Sequence, residues 1–219
     1  MRVLRRDEVR RIDEAAVRLL GISSLVLMEN AARGLVEVVL GAGSWKQITI
    51  VAGPGNNGGD GLAAARLLLA EGFPAADLRV LLIRGGRALS EDAAANLSIL
   101  QRGGVLVEEP AVDVAVEQLQ GLDAGSLIVD ALLGTGVRGP VRSPFLEVIG
   151  AMNRAGAARI AVDVPSGMDC DSGEACGEAV YADHTVTFVA LKPGFLTEPG
   201  SVYCGTVHVR QIGIPVEWV

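Results

Sequence analysis

The chain has 219 residues, of which 50% are hydrophobic and 21% charged, a composition typical of one soluble α/β domain with a sizeable core. Its formal net charge of -7 argues against a surface that binds nucleic acid or an anionic membrane. No apolar run reaches the roughly 18 residues of a membrane helix, and the charged beginning lacks the apolar region of a signal peptide. We therefore predict one cytoplasmic domain over residues 1–219, with no membrane or nucleic-acid partner.

The predicted elements alternate between helices and strands. Helical periodicity and β-branched apolar runs predict helices over residues 6–20, 24–40, 62–70, 90–101, 112–119 and 143–154, and strands over residues 48–51, 78–83, 105–107, 127–131, 160–164, 185–189 and 207–212. This alternation predicts an α/β fold, with a mostly parallel central sheet and helices on both faces. The last two strands have no predicted helix between them, so we expect an edge of the sheet that admits one antiparallel strand.

A glycine-rich segment, GPGNNGGDG over residues 53–61, follows the first predicted strand and opens the next helix. Backbone N–H groups at such a turn approach a phosphate closely, and the helix dipole favours the anion. Gly53, Gly55 and Gly58 also satisfy the spacing G-x-G-x-x-G, a weak signal in a chain with 28 glycines. A carboxylate is unfavourable in a loop that only binds pyrophosphate, because like charges repel. We therefore expect Asp60 to bind ribose hydroxyls, to bind a cation, or to take part in proton transfer.

Other strand ends carry polar residues as well. Residues 134–140, GTGVRGP, indicate a second anion loop with Thr135 and Arg138 as donors, or else an ordinary strand-to-helix turn. Asp130 and Asp163 each follow a buried apolar run, where an acid is costly unless it is paired or contacts a ligand. Either one alone could cap a turn. Because parallel strands end at one edge of a sheet, the acids together favour a shared polar pocket.

Several catalytic classes are disfavoured. His184 and His208 fall in late strands, where we expect structural or solvent-facing roles, so a Ser/His/Asp triad is unsupported. Ser166, in the turn P-S-G, is interpreted as a turn residue. Proton transfer near neutral pH then depends on carboxylates, with Lys192 or Tyr203 as further candidates.

The residue pattern also favours some metals and cofactors and disfavours others. Spacing of Cys and His typical of zinc is absent, whereas oxygens of Asn57, Asp130 and Ser166 would suit a hard cation. The three cysteines form no C-x-x-C pair, as expected for reduced structural thiols. The strand over residues 78–83 is followed by Arg84 rather than by a ribose-binding acid, which argues against an NAD-dependent dehydrogenase. The lysine of G-x-x-x-x-G-K-[ST] is missing too, which disfavours a nucleotide-dependent kinase or transferase.

The elements GNNGGDG, DALLGTG and DVPSG occur in this order at residues 55–61, 130–136 and 163–167. With LMENAARG at residues 27–34 and ADHTVTFVALKPG at residues 182–194, they make nearly the whole chain similar to the N-terminal domain of YjeF-type proteins, the NAD(P)H-hydrate epimerases. The resemblance implies a three-layer Rossmann-like fold. It also implies an isomerase that interconverts the R and S epimers of hydrated NADH and NADPH (NADHX and NADPHX) in the repair of damaged cofactors.

The resemblance assigns roles to individual residues. The implied substrate-binding residues are Asn56, Asn57, Gly58, Gly59, Asp60, Gly134, Thr135, Gly136, Val137, Arg138, Gly139, Pro140 and Asp163, and the implied ligands of a potassium ion are Asn57, Asp130 and Ser166. Many relatives carry a second domain, which implies an ADP- or ATP-dependent dehydratase as a fused or separate partner. The chain departs from the family at Ala32, where glycine is frequent, and at Leu67, where histidine is frequent.

Epimerisation at a carbon that bears a hydroxyl and the ring nitrogen requires no redox step. Loss of hydroxide followed by re-addition, or ring opening and reclosure, would both invert that carbon. Either route needs a group that moves a proton at the hydroxyl oxygen. We predict Asp163 in this role, with a raised pKa, and Asp60 assisting it or binding ribose.

A non-catalytic binding module on the same fold is the alternative from another functional class. The joint presence of Asn57, Asp60, Asp130, Asp163 and Ser166 favours the enzyme, because a scaffold does not need this set of polar residues. A homodimer is the default expectation for the oligomeric state.

Overall fold

The computed structural model describes residues 2–215 and residue 217. Its helices are α1 (Arg6–Leu20), α2 (Ser24–Ala42), α3 (Asn56–Ala70), α4 (Glu91–Arg102), α5 (Val112–Gln120), α6 (Phe145–Arg154) and α7 (Glu198–Cys204). Its strands are β1 (Gln47–Ala52), β2 (Leu78–Leu82), β3 (Val107–Glu108), β4 (Ser126–Ala131), β5 (Ala158–Val162), β6 (His184–Phe188) and β7 (Thr206–Arg210). Short 3₁₀ turns lie at Ala75–Asp77 and Pro193–Leu196.

The strands form one sheet in the order β3-β2-β1-β4-β5-β6-β7, and each neighbouring pair is parallel. The predicted α/β class and the predominantly parallel sheet are confirmed. The strand order reverses between β1 and β4, and ligands of such sheets bind at the carboxyl ends of the strands beside this reversal. Ala52 of β1 pairs with Ala131 of β4, so the two glycine-rich segments leave the sheet side by side.

Apolar side chains cover both faces of the sheet. Helices α2, α3 and α4 pack on one face, against residues such as Ile50 and Val129, and helices α5 and α6 pack on the other, against Val51 and Ile128. Alternate residues of a strand point to opposite faces, so a central parallel strand is apolar on both sides. This arrangement gives the three layers that the family resemblance implied. No helix in the described part of the chain combines the length and apolarity needed to cross a bilayer.

Helix α7 lies between β6 and β7 and is absent from the sequence prediction. It returns the chain so that β7 runs parallel to β6, with Val186 opposite His208. The expectation of an antiparallel edge strand is therefore wrong. A helix of seven residues that contains proline and glycine has too short a periodic pattern to be recognised. Gly200 is required there, because a Cβ would lie 1.9 Å from the carbonyl oxygen of Gly194.

Helix α3 begins at Asn56, with Gly55 as its N-cap, and not at residue 62 as predicted. The polar segment over residues 56–60 is therefore the first turn of a helix rather than a loop. The glycines hide this in the sequence because glycine has low helix propensity. They are needed for close backbone packing, since a Cβ on Gly58 would lie 1.9 Å from the carbonyl oxygen of Gly53.

Candidate functional site

A cavity of about 1360 Å³ opens at the carboxyl ends of the strands. Its walls are formed by α1, α2, the starts of α3 and α4, the segment after β4 and the ends of β5 and β6. Asn56, Asn57, Asp60, Asp163 and all of residues 134–140 line it. The parallel sheet thus brings most of the predicted substrate-binding residues to one place.

Four of the predicted site residues lie behind this wall. Gly58, Gly59, Asp130 and Ser166 are buried and do not line the cavity. The two glycines allow the first turn of α3 to pack closely, and a Cβ on Gly59 would lie 2.6 Å from the Cε atom of Met28. Their contribution is to hold the N-terminus of α3, with its unpaired N–H groups and positive dipole end, at the cavity wall.

The segment over residues 134–140 is irregular and faces the cavity throughout its length. Arg138 is largely exposed, with a guanidinium nitrogen 3.6 Å from a carboxylate oxygen of Asp7 in α1. An ion pair between two exposed side chains contributes little stability. The Arg138 side chain is therefore available to an anionic group of a ligand.

Asp130 and Ser166 form a buried hydrogen-bond network beneath this segment. The Ser166 hydroxyl donates to Oδ1 of Asp130 at 2.5 Å, and the Ser166 N–H donates to Oδ2 at 2.8 Å. The N–H of Leu133 donates to the Ser166 hydroxyl at 2.8 Å, which ties the segment after β4 to the end of β5. Burial raises the pKa of Asp130 to about 6, and the hydrogen bonds from Ser166 and from the Leu132 N–H oppose this rise.

Asn57 lies against the same segment. Both polar atoms of its amide are buried, and neither has a hydrogen-bond partner among the residues that the structure describes. The amide lies against Gly134, where an added Cβ would be 3.3 Å from Oδ1 of Asn57. Gly134 directly follows Leu133, whose N–H donates to the Ser166 hydroxyl. Unpartnered buried amides are uncommon in proteins, so the environment of this one requires a specific explanation. The three predicted metal ligands therefore cluster around one short backbone segment.

Asp163 follows β5 in a left-handed backbone conformation, with φ of 62°. Its Oδ1 accepts a hydrogen bond from Nζ of Lys192 at 2.6 Å and another from the hydroxyl of Thr187 at 3.2 Å. The lysine is fully buried, and its remaining donors reach the Thr187 hydroxyl at 2.7 Å and the carbonyl oxygen of Phe188 at 3.1 Å. The contact is a buried ion pair, and its acidic member, Asp163, lines the cavity.

Two further carboxyl groups lie near this pair. Burial, followed by repulsion from Asp163, Asp13 and Asp92, raises the pKa of Asp60 well above its usual range. Burial and repulsion from Asp163 likewise raise the pKa of Asp13 to about 6, although Lys192 lowers it. The raised pKa that a proton donor requires is therefore found at Asp60 and Asp13.

Asp13 was missed by the sequence analysis, and Lys192 was only a secondary candidate. An acid on a charged amphipathic helix such as α1 is usually solvated, and only the fold shows that this one lines the cavity. Lys192 lies in the segment that leaves the end of β6 at Phe188, and this position is the one signal that indicated it. The two histidines do not line the cavity; Nδ1 of His184 lies 3.1 Å from Nε2 of His208 on the neighbouring strand.

Known proteins resemble this chain over most of its length. The family model described as YjeF-related protein N-terminus matches residues 24–194. The NAD(P)H-hydrate epimerase of Rhodopirellula baltica is 38% identical over 96% of this chain and 84% of its own length. The bifunctional NAD(P)H-hydrate repair enzyme Nnr of Archaeoglobus fulgidus is 43% identical over 89% of this chain, which spans only 38% of that protein. The crystal structure of the yeast protein ynu0, YNL200c, superimposes with a TM-score of 0.75 and 24% identity, over 89% of this chain and 83% of that one, and shows the same fold.

Proposed function

The chain belongs to the family of YjeF-related protein N-termini, and we propose that it is an NAD(P)H-hydrate epimerase, which interconverts the R and S epimers of hydrated NADH and NADPH. The observation that carries the proposal is the cavity at the strand-order reversal, where two anion-binding segments face a group of carboxyl side chains. The phosphates of a dinucleotide would bind to the two segments, and its nicotinamide ring would lie at the carboxyl side chains. The activity of the longer bifunctional relatives is a separate matter, because this chain spans less than half of their length.

The phosphates of the substrate bind between the N-terminus of α3 and the segment over residues 134–140. The helix dipole and free N–H groups at Asn56 and Asn57 favour negative charge, and Thr135 and Arg138 add side-chain donors. Local donors are necessary because the chain as a whole carries a net charge of -7. The nicotinamide half then extends toward the carboxyl groups.

The carboxyl groups supply the proton transfers that epimerisation requires. Burial raises the pKa of Asp60 well above its usual range, which suits this side chain to donate a proton to the hydroxyl oxygen on the ring. Asp163 is held as a carboxylate by Lys192 and accepts a proton or stabilises a positively charged ring. The sequence predicted Asp163 as the proton-transfer group with Asp60 assisting, whereas this proposal exchanges the two roles and makes Asp60 the donor.

We further propose that Asn57, Asp130 and Ser166 hold a potassium ion. The donor set consists of oxygens alone, which suits a hard cation, and the buried unpartnered Asn57 amide is a feature that such an ion would explain. A bound cation supplies positive charge that neutralises the buried Asp130 carboxylate and favours anionic substrate nearby. The residues themselves fix the segment after β4 through the Ser166 hydroxyl, whether or not the ion is bound.

The experiment uses the purified R epimer of NADPH hydrate and follows the ratio of epimers by chromatography. Reactions contain potassium chloride or choline chloride at equal ionic strength, and an enzyme-free sample gives the spontaneous rate. We expect fast approach to the equilibrium ratio with the wild type. Asp60→Asn and Asp163→Asn should each reduce the rate at least about 10²-fold. Asp113→Asn, an exposed acid on α5, is the matched control and should behave as wild type.

Other outcomes would contradict the proposal. Binding of the hydrate without acceleration over the enzyme-free sample would support a non-catalytic binding module. Equal rates in potassium and choline would contradict the potassium site alone. Parallel assays with NADH hydrate give the preference between the two substrates.

The setting of the enzyme follows from the same reaction. Bifunctional relatives join an epimerase to a second activity, so we propose that this chain works with an ADP- or ATP-dependent dehydratase, fused or separate, that consumes one epimer. We also propose a homodimer in the cytoplasm. Light scattering coupled to size-exclusion chromatography measures the oligomeric state, and a monomeric mass would contradict the dimer.

A further inference from the structure

Epimerisation moves a hydroxyl group from one face of the nicotinamide ring to the other. A single wall of the cavity cannot serve both faces, because a proton-transfer group must lie within hydrogen-bond reach of the oxygen it serves. The wall at the carboxyl ends of the strands, which we call the strand-end wall, contains Asp60 at the start of α3 and Asp163 directly after β5. If the proposed function holds, the wall formed by α1 needs a group of its own.

The acids of α1 that line the cavity are Asp7, Asp13 and Glu14. Asp7 pairs with Arg138 and Glu14 with Arg10, which leaves Asp13 as the candidate. It lines the cavity, and its Oδ1 is buried without a hydrogen-bond partner among the described residues. It is close enough to Asp163 and Lys192 for both charges to affect its ionisation, and Asp60 in turn responds to Asp13. The three carboxyl groups therefore converge on one part of the cavity from two walls.

Several other charged groups of α1 have partners. Arg6 contacts Asp169 at 2.7 Å, and Arg10 contacts Glu14 at 2.8 Å. A buried carboxyl oxygen without a partner costs free energy, so Asp13 is not placed there to stabilise the helix. An oxygen with no internal partner is free to bond to a ligand.

We propose that Asp13 is the proton-transfer residue for the face of the nicotinamide ring that is turned toward α1, opposite the face served by Asp60 and Asp163.

The steps balance without a redox partner. Asp60 donates its proton to the hydroxyl on ring carbon six, the C–O bond breaks, and water leaves with the bonding pair while the lone pair of the ring nitrogen forms a C=N bond. A water molecule then adds from the α1 side: its oxygen supplies the pair for the new C–O bond, and the C=N pair returns to nitrogen. Asp13 accepts the proton released from that water. The reverse reaction follows the same steps, with Asp13 as donor and Asp60 as acceptor.

The charged groups around Asp13 determine its pH dependence. Glu14 lies beside it on α1, Asp163 and Lys192 face it from the strand ends, and Asp60 faces it from α3. The pKa of Asp13 is raised to about 6, so Asp13 is ionised near neutral pH, whereas burial and the neighbouring acids raise the pKa of Asp60 well above its usual range and favour its protonated form. We expect kcat/KM to rise as the pH increases through about 6. The rise must be the same in both directions, because the equilibrium between two epimers does not depend on pH.

The test compares wild type, Asp13→Asn, Asp13→Glu and the control Asp113→Asn, in both directions of the reaction and from about pH 5 to pH 9. We expect Asp13→Asn to lower kcat by about 10²–10⁴-fold with little change in KM, and to lose the rise of kcat/KM near pH 6. Asp13→Glu should recover part of kcat and keep the rise. Thermal denaturation and binding of the hydrate verify that each variant is folded.

Three results would overturn the inference and are distinguishable from one another. A wild type without epimerase activity removes the proposed function, and the role of Asp13 with it. An active wild type whose rate and pH profile survive Asp13→Asn leaves the function intact and shows that Asp13 takes no part. A folded Asp13→Asn variant with a lower kcat but an unchanged rise near pH 6 also overturns it, because a merely structural role gives that pattern.

Discussion

Replacing Lys192 by methionine tests the buried ion pair on which the strand-end wall depends. Nζ of Lys192 lies 2.6 Å from Oδ1 of Asp163, and the two side chains are 0% and 16% exposed. Methionine fills a similar volume but offers no donor. It leaves the Asp163 carboxylate with only the Thr187 hydroxyl at 3.2 Å, and leaves the Phe188 carbonyl without its lysine donor.

Removal of one partner of a buried ion pair costs about 3–5 kcal/mol, because an uncompensated charge stays buried. In a chain of 219 residues each kcal/mol lowers Tm by about 2–4 °C, so we expect a decrease of about 6–20 °C. The double variant Lys192→Met with Asp163→Asn removes both charges and should recover much of that loss.

Thermal denaturation at pH 7 measures both variants. The control is Lys46→Met, since Lys46 is the chain's other lysine and is exposed, and its Tm should change by less than about 2 °C. If Lys192→Met were as stable as the control, the ion pair would not exist as described. If the double variant were no more stable than the single one, the loss would come from packing and not from the unpaired charge.

Three further perturbations test other parts of the site. Ser166→Ala removes the hydroxyl that donates to Asp130 at 2.5 Å, so we expect a loss of about 1–3 kcal/mol in urea denaturation and a weaker response of activity to potassium; unchanged stability would contradict the network. Gly53→Ala would place a Cβ 1.8 Å from a backbone carbonyl oxygen after β4, whereas the Cβ of the control Gly41→Ala has no atom within 4 Å. We expect Gly53→Ala to have the lower denaturation midpoint, and equal midpoints for the two variants would refute the close packing. The pKa of Asp13 is raised from 3.8 in the unfolded chain to about 6 in the folded protein. The contribution of Asp13 to the free energy of unfolding is therefore highest below pH 3.8, where Asp13 is protonated in both states, and it decreases as the pH rises through about 6. Asp13→Asn should therefore gain up to about 3 kcal/mol over wild type at pH 8 and nothing at pH 3, and an equal gain at both pH values would contradict the raised pKa.

Much of the fold could be predicted because its signals are local. Apolar runs such as Leu127–Ala131 and the helical periods between them depend on neighbouring residues, and they were sufficient to identify a parallel α/β sheet. The two errors have local causes as well. Glycines disguised the first turn of α3, and the shortness of α7 hid the helix that makes β7 parallel.

The candidate site was predictable where a residue lies in the stretch of chain that leaves the carboxyl end of a strand. Asp60, Asp163 and the segment over residues 134–140 all line the cavity, since parallel strands end at a common edge. Their roles in catalysis and substrate binding stay predictions until the variants are assayed. Asp13 gave no such signal, because its helix precedes the sheet and its charged neighbours resemble a solvated surface.

The sequence by itself determined the order of the strands and of all helices except α7, the two glycine-rich segments and the family. Each of these depends on short-range patterns that a chain carries whether or not it is folded. Only the tertiary structure decided that Asp13 meets Asp60 and Asp163, that Lys192 is fully buried against Asp163, and that the Asn57 amide has no partner among the described residues. The reason is that burial, pairing and pKa depend on which distant segments surround a group, and those neighbours exist only once the sheet has formed.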